Sequence, residues 1–283
     1  MCVNGIARNG TFPIGNYLRW CLVSRSAHIA ASKPQSTVDE NDIKLYNQLV
    51  DRWWDENGEM KALHSMNALR VPFIRDGLIQ TNKVLPSLIH TGEPLQGLKI
   101  LEVGCGGGIL TEPLARLGAE VTGVDASRSM VETAERHAAG DPGIGARLRY
   151  VLGTIEAHTC DHREHYDAVV ASEVLEHVLQ KDLFVEACSS SLKPGGSFFV
   201  TTLNRTWLTW AAGILLAEYV LHLLPRGTHD FNKCVSPHGA EALLAKHGNT
   251  TRLIHGMCYN FVTNEWHWTS NLSINYAIHA IKS

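Results

Sequence analysis

The sequence lacks any strong excess of charge. Its 25 Lys and Arg residues stand against 28 Asp and Glu residues, which gives a formal net charge of -3 with neutral histidines. A protein that binds nucleic acid usually carries a basic patch or stripe. The balance therefore argues against a protein that acts on DNA or RNA, and we expect no nucleic-acid partner.

Paired cysteines are also missing. The seven cysteines are scattered along the chain, and no two of them form a C-x-x-C pair. An odd number of cysteines without framework spacing fits a reducing compartment better than secretion. We expect all seven to be free thiols.

The first 38 residues contain no acidic side chain and no apolar run long enough for a secretory signal. The basic residues in this segment are Arg8, Arg19, Arg25 and Lys33. Basic, serine-bearing and acid-free composition is typical of a mitochondrial transit segment, and a disordered N-terminal tail is the alternative. We therefore exclude residues 1–38 from the fold and assign residues 39–283 to one folded domain.

A glycine loop lies between an apolar strand and a helix. Gly104, Gly106 and Gly108 alternate along it, Glu102 precedes them, and Asp125 ends the next apolar run. Glycines let the backbone approach a ligand, and the helix that follows offers unpaired N–H groups. The spacing E-x-G-x-G-x-G departs from the dinucleotide fingerprint, while Asp125 can accept both hydroxyls of a ribose. The pattern is similar to the S-adenosylmethionine (SAM) loop of class I methyltransferases.

Apolar runs and helical segments alternate after the glycine loop, which predicts a parallel sheet with helices on both faces. The predicted strands are residues 99–103, 120–125, 148–153, 166–172, 196–202, 252–259 and 275–281. Two helices, 42–55 and 64–78, precede the sheet. The predicted fold is α/β: a Rossmann-like, class I SAM-dependent methyltransferase with a seven-stranded, mostly parallel sheet and an antiparallel last strand. An apolar helical insertion, 205–230, follows strand five.

The residues after the fourth strand could form a metal site. If Glu173, Glu176 and His177 lie in one helical turn, two carboxylates and an imidazole share one face. Oxygen-rich ligation with open positions favours a hard ion such as Mg²⁺. The alternative is that the acids cap a helix and His177 only lines the pocket. His177 is also a possible acceptor of a phenolic proton, but no general base is assigned.

Two further features concern the ligands. Arg70, on the second predicted helix, could pair with the carboxylate of the methionine part of SAM, since a guanidinium fork suits a carboxylate. The segment from Trp207 to Leu224 carries Glu218 as its only formally charged residue. A helix that is apolar all round is buried or contacts lipid, and this one is short for a membrane span. A substrate lid, or a lid that also rests in the membrane interface, predicts an oily acceptor.

Six motifs together resemble the ubiquinone biosynthesis O-methyltransferases, over nearly all of residues 39–283. The motifs are Trp53-Trp54, Leu63-His64 to Leu69-Arg70, Gly104 to Gly108, Glu173 to His177, Thr202-Leu203-Asn204-Arg205 and Pro225 to Asp230. The resemblance implies SAM- and Mg²⁺-dependent methylation of catechol-type hydroxyls on polyprenylated intermediates, namely polyprenyl-dihydroxybenzoate and demethylubiquinol. It also implies peripheral attachment to the matrix side of the mitochondrial inner membrane and membership of a multi-protein coenzyme Q biosynthetic complex.

Carried over by motif, the resemblance implies roles for particular residues. The implied SAM contacts are Arg70, Gly104, Asp125 and Ser172, beside Gly106 of the same loop. The implied metal ligands are Glu173, Glu176 and His177, and the implied membrane-associating segment is Trp207 to Leu224. Ser65 stands where bacterial relatives carry a basic residue, and we assign it no role. Two rival functions remain: a metal-independent methyltransferase for a small soluble substrate, and a catalytically silent SAM-binding scaffold of a membrane complex.

Overall fold

The computed structural model describes residues 37–206 and 233–283. The predicted transit segment up to residue 36, and residues 207–230 of the predicted insertion, lie outside the described residues. Composition placed Thr37 in the N-terminal segment, but the fold includes it. Its side chain is buried, its hydroxyl donates to Glu156 Oε1 at 2.6 Å, and its carbonyl accepts from the Leu179 N–H at 2.9 Å. The folded unit therefore begins slightly before residue 39.

The described elements alternate as predicted from the glycine loop onward. The helices are α1 (Glu40–Asn47), α2 (Lys61–Gln80), α3 (Thr111–Arg116), α4 (Arg128–Ala138), α5 (Pro142–Gly145), α6 (Ile155–Asp161), α7 (Lys181–Ser191) and α8 (Pro237–Lys246). The strands are β1 (Lys99–Val103), β2 (Glu120–Asp125), β3 (Leu148–Leu152), β4 (Tyr166–Ser172), β5 (Leu192–Leu203), β6 (Asn249–Asn260), β7 (Glu265–Thr269) and β8 (Asn275–Lys282).

All eight strands form one sheet in the order β3-β2-β1-β4-β5-β8-β6-β7. Strands β1 to β5 pair in parallel, whereas β8 is antiparallel to both β5 and β6. This arrangement confirms the class I methyltransferase fold. The strand order reverses between β1 and β4, and in open α/β sheets ligands bind in the crevice outside the carboxyl ends of the strands at that point. The glycine loop after β1 and the acidic turn after β4 border this crevice.

The central strands are buried on both faces, which explains their nearly continuous apolar runs. Because side chains of a strand alternate between faces, Leu101 and Val169 pack in one core with Phe184, while Ile100 and Val170 pack in a second core on the other face. The sheet is thus covered on both sides. The loops at the carboxyl ends of the strands are therefore supported by the apolar cores on the two faces of the sheet.

The prediction of seven strands was wrong by one. Strand β7 pairs antiparallel with β6 and forms the edge of the sheet. Only Trp266 of its five residues is buried, so the strand lacks the apolar run that marks the central strands. The observed sheet therefore ends in a β6–β7 hairpin that the apolar pattern did not reveal.

The first predicted helix, 42–55, is divided in two. Helix α1 ends at Asn47, and a 3-10 turn covers Val50–Arg52. The break lets Leu49 and Trp53 pack beside Ile109 and Met130 in a third apolar cluster next to the glycine loop. Among the residues described, no helix combines the length and apolar character that a membrane crossing requires.

Candidate active site

The glycine loop is shaped by residues with positive φ. Gly104 has φ +70° and its N–H donates to the Val124 carbonyl at 2.8 Å. Gly106 has φ +52° and its N–H donates to Asp125 Oδ2 at 2.8 Å. L residues other than glycine rarely adopt this conformation. The loop after β1 is thereby joined to the end of β2, so the predicted donor-binding residues Gly104, Gly106 and Asp125 lie together.

Asp125 is oriented by the backbone around it. Its Oδ1 accepts from the Ser127 N–H at 2.8 Å, and Ser127 is the N-cap of α4. Burial raises the pKa of Asp125 despite the backbone hydrogen bonds from Ser127 and Gly106, which act in the opposite direction. A carboxylate has about four lone-pair sites, so the backbone bonds from Gly106, Ala126 and Ser127 still leave acceptor capacity for a ribose hydroxyl.

Arg70 is buried and is not the solvated charge that an isolated helix would suggest. Its Nη1 donates to Ser172 Oγ at 2.9 Å, and its Nη2 donates to the Leu63 carbonyl at 2.9 Å. Its Nε and Nη2 both donate to Asn67 Oδ1, one turn earlier on the helix. Burial lowers the pKa of Arg70 to about 10, which leaves the guanidinium charged at neutral pH. Arg70 and Ser172, both predicted SAM contacts, are thus in direct contact.

Glu102, near the end of β1, is buried as well and lies within electrostatic reach of Arg70. Its Oε2 accepts from the Thr111 hydroxyl at 2.6 Å. Burial raises the pKa of Glu102 to about 7 from its ordinary 4.5, although the Thr111 bond and the Arg70 charge favour the ionised form. A cationic ligand in the crevice would favour ionisation further. Resemblance to the SAM loop of class I methyltransferases implies that the acidic residue ahead of the glycines orients the methionine end, and the place of Glu102 beside the loop fits that role.

We expect the ligand-free protein to lose stability as pH rises through the pKa of Glu102. Because the folded pKa is raised, the stabilising contribution of the protonated group is fully present below about pH 4.5 and is lost as pH approaches 7. The raised pKa corresponds to a loss of about 3 kcal/mol in the free energy of unfolding across this pH range, at about 1.4 kcal/mol for each unit of pKa. Urea unfolding at pH 5 and pH 8 should show a smaller pH dependence for Glu102→Gln than for the native chain. Equal pH dependence in the two proteins would contradict this assignment.

The acidic turn after β4 does not form the predicted helical face. Glu173 has φ +56° and precedes the 3-10 turn, which spans only Leu175–His177. Glu173 Oε1 accepts from the Thr201 hydroxyl at 2.8 Å, whereas Glu176 Oε2 accepts from the Thr202 hydroxyl at 2.7 Å. Adjacent residues of a strand point to opposite faces, so the two carboxylates are drawn apart. Within residues 37–206 and 233–283, no group of three His, Cys, Asp or Glu side chains is placed to hold a metal ion.

The chemistry of this turn nevertheless favours a cation. Glu176 Oε1 is buried and has no hydrogen-bond partner among the described residues. Burial, and secondly the charge of Glu173, raise the pKa of Glu176. A buried carboxylate oxygen without a hydrogen-bond partner, within the electrostatic influence of a second carboxylate, is a costly arrangement in a protein interior. A divalent cation is one group that would offset this cost.

His177 is held at both ring nitrogens. Its Nε2 lies 3.0 Å from the Tyr46 hydroxyl, and its Nδ1 lies 3.2 Å from Asp42 Oδ2. Lys233 in turn donates to Asp42 at 3.2 Å and to Asp39 at 2.6 Å. Burial would raise the pKa of Asp42, but the bond and charge of His177 and the charge of Lys233 lower it overall. Because an ionised carboxylate only accepts, His177 Nδ1 is the donor to Asp42, which fixes the tautomer with a lone pair on Nε2 whenever the imidazole is neutral.

One cavity of about 540 Å³ joins these groups. Arg70, Gly104, Gly106, Asp125, Ser172, Glu173 and His177 all line it, whereas Glu176 does not. The rest of the lining is mainly apolar and includes Met66, Leu203, Met257, Tyr259, Phe261 and Trp266. A polar region suited to SAM and an apolar region thus share one space, which is the layout that transfer between a polar donor and an oily acceptor requires.

Comparison with known proteins identifies the family. Residues 101–200 match the family described as a methyltransferase domain. The chain is 46% identical over 252 residues to the mitochondrial ubiquinone biosynthesis O-methyltransferase of Mus musculus, an alignment that covers 89% of this chain and 67% of the mouse protein. The chain belongs to the ubiquinone biosynthesis O-methyltransferase family. A family member from Chelativorans sp. (strain BNC1) is 40% identical over 248 residues, covering 88% of this chain and 95% of the bacterial protein.

The likeness to solved structures concerns the fold. Magnesium protoporphyrin IX methyltransferase from Synechocystis PCC 6803 superposes with a TM-score of 0.51 at 18% identity, over 89% of this chain and 90% of that protein. Membership of the ubiquinone biosynthesis O-methyltransferase family makes the chain a SAM-dependent O-methyltransferase. The SAM-binding residues predicted from sequence are the residues that the fold gathers around the crevice.

Sequence reasoning missed the aromatic residues that hold the glycine loop of this O-methyltransferase. The Trp54 Nε1–H donates to the Gly107 carbonyl at 3.0 Å, and its ring stacks on His137 at a centroid distance of 3.3 Å. A Cβ at Gly106 would lie 2.7 Å from Cζ2 of Trp53. The adjacent pair Trp53-Trp54 was assigned to the first predicted helix, 42–55, and to a family motif. Two adjacent tryptophans, of which a single helix face can bury only one, were the signal that could have placed them against the loop.

Proposed function

We propose that this O-methyltransferase transfers the methyl group of SAM to catechol-type hydroxyls of polyprenylated ubiquinone precursors, namely polyprenyl-dihydroxybenzoate and demethylubiquinol. The observation that carries the proposal is the single cavity in which Arg70, Glu102 and Asp125 meet an apolar wall. The names of the relatives, which are ubiquinone biosynthesis enzymes, support the choice of substrate.

The residues of the crevice act mainly by positioning. When bound, SAM supplies a sulfonium methyl group, whose transfer needs an in-line approach and little acid or base assistance. Arg70 binds the carboxylate of the methionine part, Glu102 attracts its cationic groups, and Asp125 accepts from the ribose hydroxyls. Holding two reactants in one geometry can remove about 7–11 kcal/mol of a barrier. The apolar lining excludes water, which strengthens these electrostatic contacts.

We propose that Glu173, Glu176 and His177 hold Mg²⁺ in the active enzyme, after side-chain rotation from the arrangement described above. The unpartnered Oε1 of Glu176 supports this proposal. The Asp42 bond to His177 Nδ1 supports it too, because ligating histidines commonly donate their other N–H to a carboxylate. A bound magnesium ion would lower the pKa of a chelated catechol hydroxyl. Acceptance of the phenolic proton by His177 Nε2 would use the same lone pair, so the two roles are alternatives.

The separation of the acidic side chains favours a second candidate function, a metal-independent methyltransferase with the same donor site. In that enzyme Glu173 and Glu176 would only stabilise the turn through Thr201 and Thr202. The acceptor would then be deprotonated without a cation. The two candidates differ in their response to chelators.

We expect the enzyme to methylate a prenylated catechol, and EDTA to lower kcat/KM at least about tenfold, with recovery on adding Mg²⁺. Glu176→Gln should abolish the response to Mg²⁺ while leaving the Kd for SAM, measured by calorimetry, near that of the native enzyme. Asp182→Asn is the matched control, because Asp182 is an exposed acid that pairs with Lys246 away from the cavity. Full activity in EDTA would favour the metal-independent enzyme, and no turnover of any catechol would favour the SAM-binding scaffold.

The cellular setting is also a proposal. The mammalian relatives are named as mitochondrial proteins, and the acid-free composition of residues 1–38 supports import. We place the enzyme on the matrix side of the inner membrane, in peripheral contact through Trp207 to Leu224 and within a multi-protein coenzyme Q biosynthetic complex. An acceptor with a polyprenyl tail resides in the bilayer, so contact with the membrane would bring the enzyme to its substrate.

A further inference from the structure

The β6–β7 hairpin forms one wall of the cavity. Tyr259 and Trp266 lie directly opposite each other in the register of the two strands, and their ring centroids are 5.0 Å apart. Both rings line the cavity. Strand β7, which the seven-strand expectation did not include, therefore contributes a residue to the site.

The polar atoms of this wall are bonded within the protein. The Trp266 Nε1–H donates to the Ala62 carbonyl at 2.8 Å, and the Tyr259 hydroxyl donates to Asn264 Oδ1 at 2.9 Å. The same Asn264 oxygen accepts from the Ser65 hydroxyl at 3.1 Å, which gives Ser65 a place in anchoring the hairpin to α2. A ligand at this wall therefore meets the ring surfaces of Tyr259 and Trp266. The Trp266 N–H is already bonded to the Ala62 carbonyl and is not available to the ligand. Such a surface suits a hydrocarbon and disfavours a polar group.

The wall also leads outward. Met257, Tyr259 and Phe261 occupy every second position and all line the cavity. Exposure increases along this series, from 2% at Met257 through half-buried Tyr259 to 51% at Phe261. The turn that follows, up to Asn264, carries no charged residue. An apolar track therefore runs from the interior of the cavity to solvent at the tip of the hairpin.

We propose that this track binds the proximal part of the acceptor's hydrocarbon tail, and that Phe261 is a specificity-determining residue for tailed acceptors. The inference rests on the proposed function, because it deepens the choice of a prenylated catechol. The tail would cover the exposed half of the Phe261 ring, and Tyr259 and Trp266 would contact the isoprene unit next to the aromatic head. The track binds the substrate, whereas Val262, which is 79% exposed and lies outside the cavity lining, has no part in it.

The test compares a farnesylated catechol with catechol itself as acceptors. Phe261→Ser should raise KM for the farnesylated acceptor roughly fivefold to tenfold, and KM for catechol by less than about twofold, since only the tail loses apolar contact. Phe261→Leu, which keeps an apolar side chain, should have a KM for the farnesylated acceptor close to that of the native enzyme. Equilibrium binding of the farnesylated catechol should change in parallel with KM, and thermal unfolding should show that both variants are folded.

Val262→Ser is the matched control, because it removes a more exposed apolar side chain from the same turn. It should leave both KM values unchanged. An equal effect of Val262→Ser and Phe261→Ser would mean that the tip contacts detergent or lipid, and would overturn the track. So would a Phe261→Ser effect of equal size on both acceptors, or none at all. If the native enzyme turns over neither acceptor, the proposed function fails, while farnesyl-dependent binding at Phe261 still decides the inference.

Discussion

Gly104→Ala should reduce the affinity for SAM by roughly 100-fold or more. Alanine at φ +70° carries a backbone penalty, and its Cβ would lie 2.5 Å from Cγ2 of Val174. Each of these two effects costs about 1–3 kcal/mol, and about 1.4 kcal/mol corresponds to a tenfold change. The strain is relieved only if the loop or Val174 moves. Val174 lies between Glu173 and Glu176, so either movement disturbs the site. Calorimetric titration with SAM would measure the loss.

Gly97→Ala provides the matched control for the backbone penalty alone. Gly97 has φ +83°, and a Cβ there would meet no atom within 4 Å. Both variants should lower the free energy of unfolding, but only Gly104→Ala should weaken SAM binding. If Gly104→Ala binds SAM as tightly as Gly97→Ala does, the glycine loop does not shape the donor site in the way described above.

The strands of the parallel region could be predicted closely because their signal is local. The predicted bounds of β1, β2 and β4 match the structure, since each strand is a buried apolar run that ends at a glycine or polar turn. The prediction of Gly104 and Asp125 as donor-site residues followed from the same logic. Their positions at the ends of adjacent parallel strands are fixed once the sheet topology is known.

The parts that could not be predicted depend on contacts distant in sequence. The burial of Arg70 follows from its bond to Ser172, which lies 102 residues later. The predicted helical face of the acidic turn was wrong for a different reason. Glu173 has a positive φ although it is not a glycine, and no feature of the sequence indicates this conformation. Strand β7 is an edge strand with a single buried residue, so its place is set by pairing with β6. Local pattern thus predicts the scaffold, while long-range hydrogen bonds and strand pairing decide the details of the crevice and of the sheet edge.

Arg70→Met should weaken SAM binding by roughly 100-fold to 3000-fold. Removal of one partner of a buried ion pair costs about 3–5 kcal/mol, because the other charge is left uncompensated. In the ligand-free protein the guanidinium is already fixed by Asn67, Leu63 and Ser172, so little ordering remains for SAM binding to impose. The affinity of Arg70→Lys for SAM should lie between those of Arg70→Met and the native enzyme, since lysine keeps the charge but not the planar fork.

The comparison of ligands shows which part of SAM Arg70 recognises. Methylthioadenosine keeps the nucleoside but lacks the methionine carboxylate, so native enzyme and Arg70→Met should bind it with similar affinity. Arg75→Met is the control on the same helix, because Arg75 is partly exposed and pairs with Asp76 outside the cavity. Equal losses of SAM and methylthioadenosine affinity in Arg70→Met would show that the substitution collapses the crevice as a whole. A loss confined to SAM would mean that the carboxylate is the group bound by Arg70, and that one buried guanidinium joins α2 to both β4 and the donor.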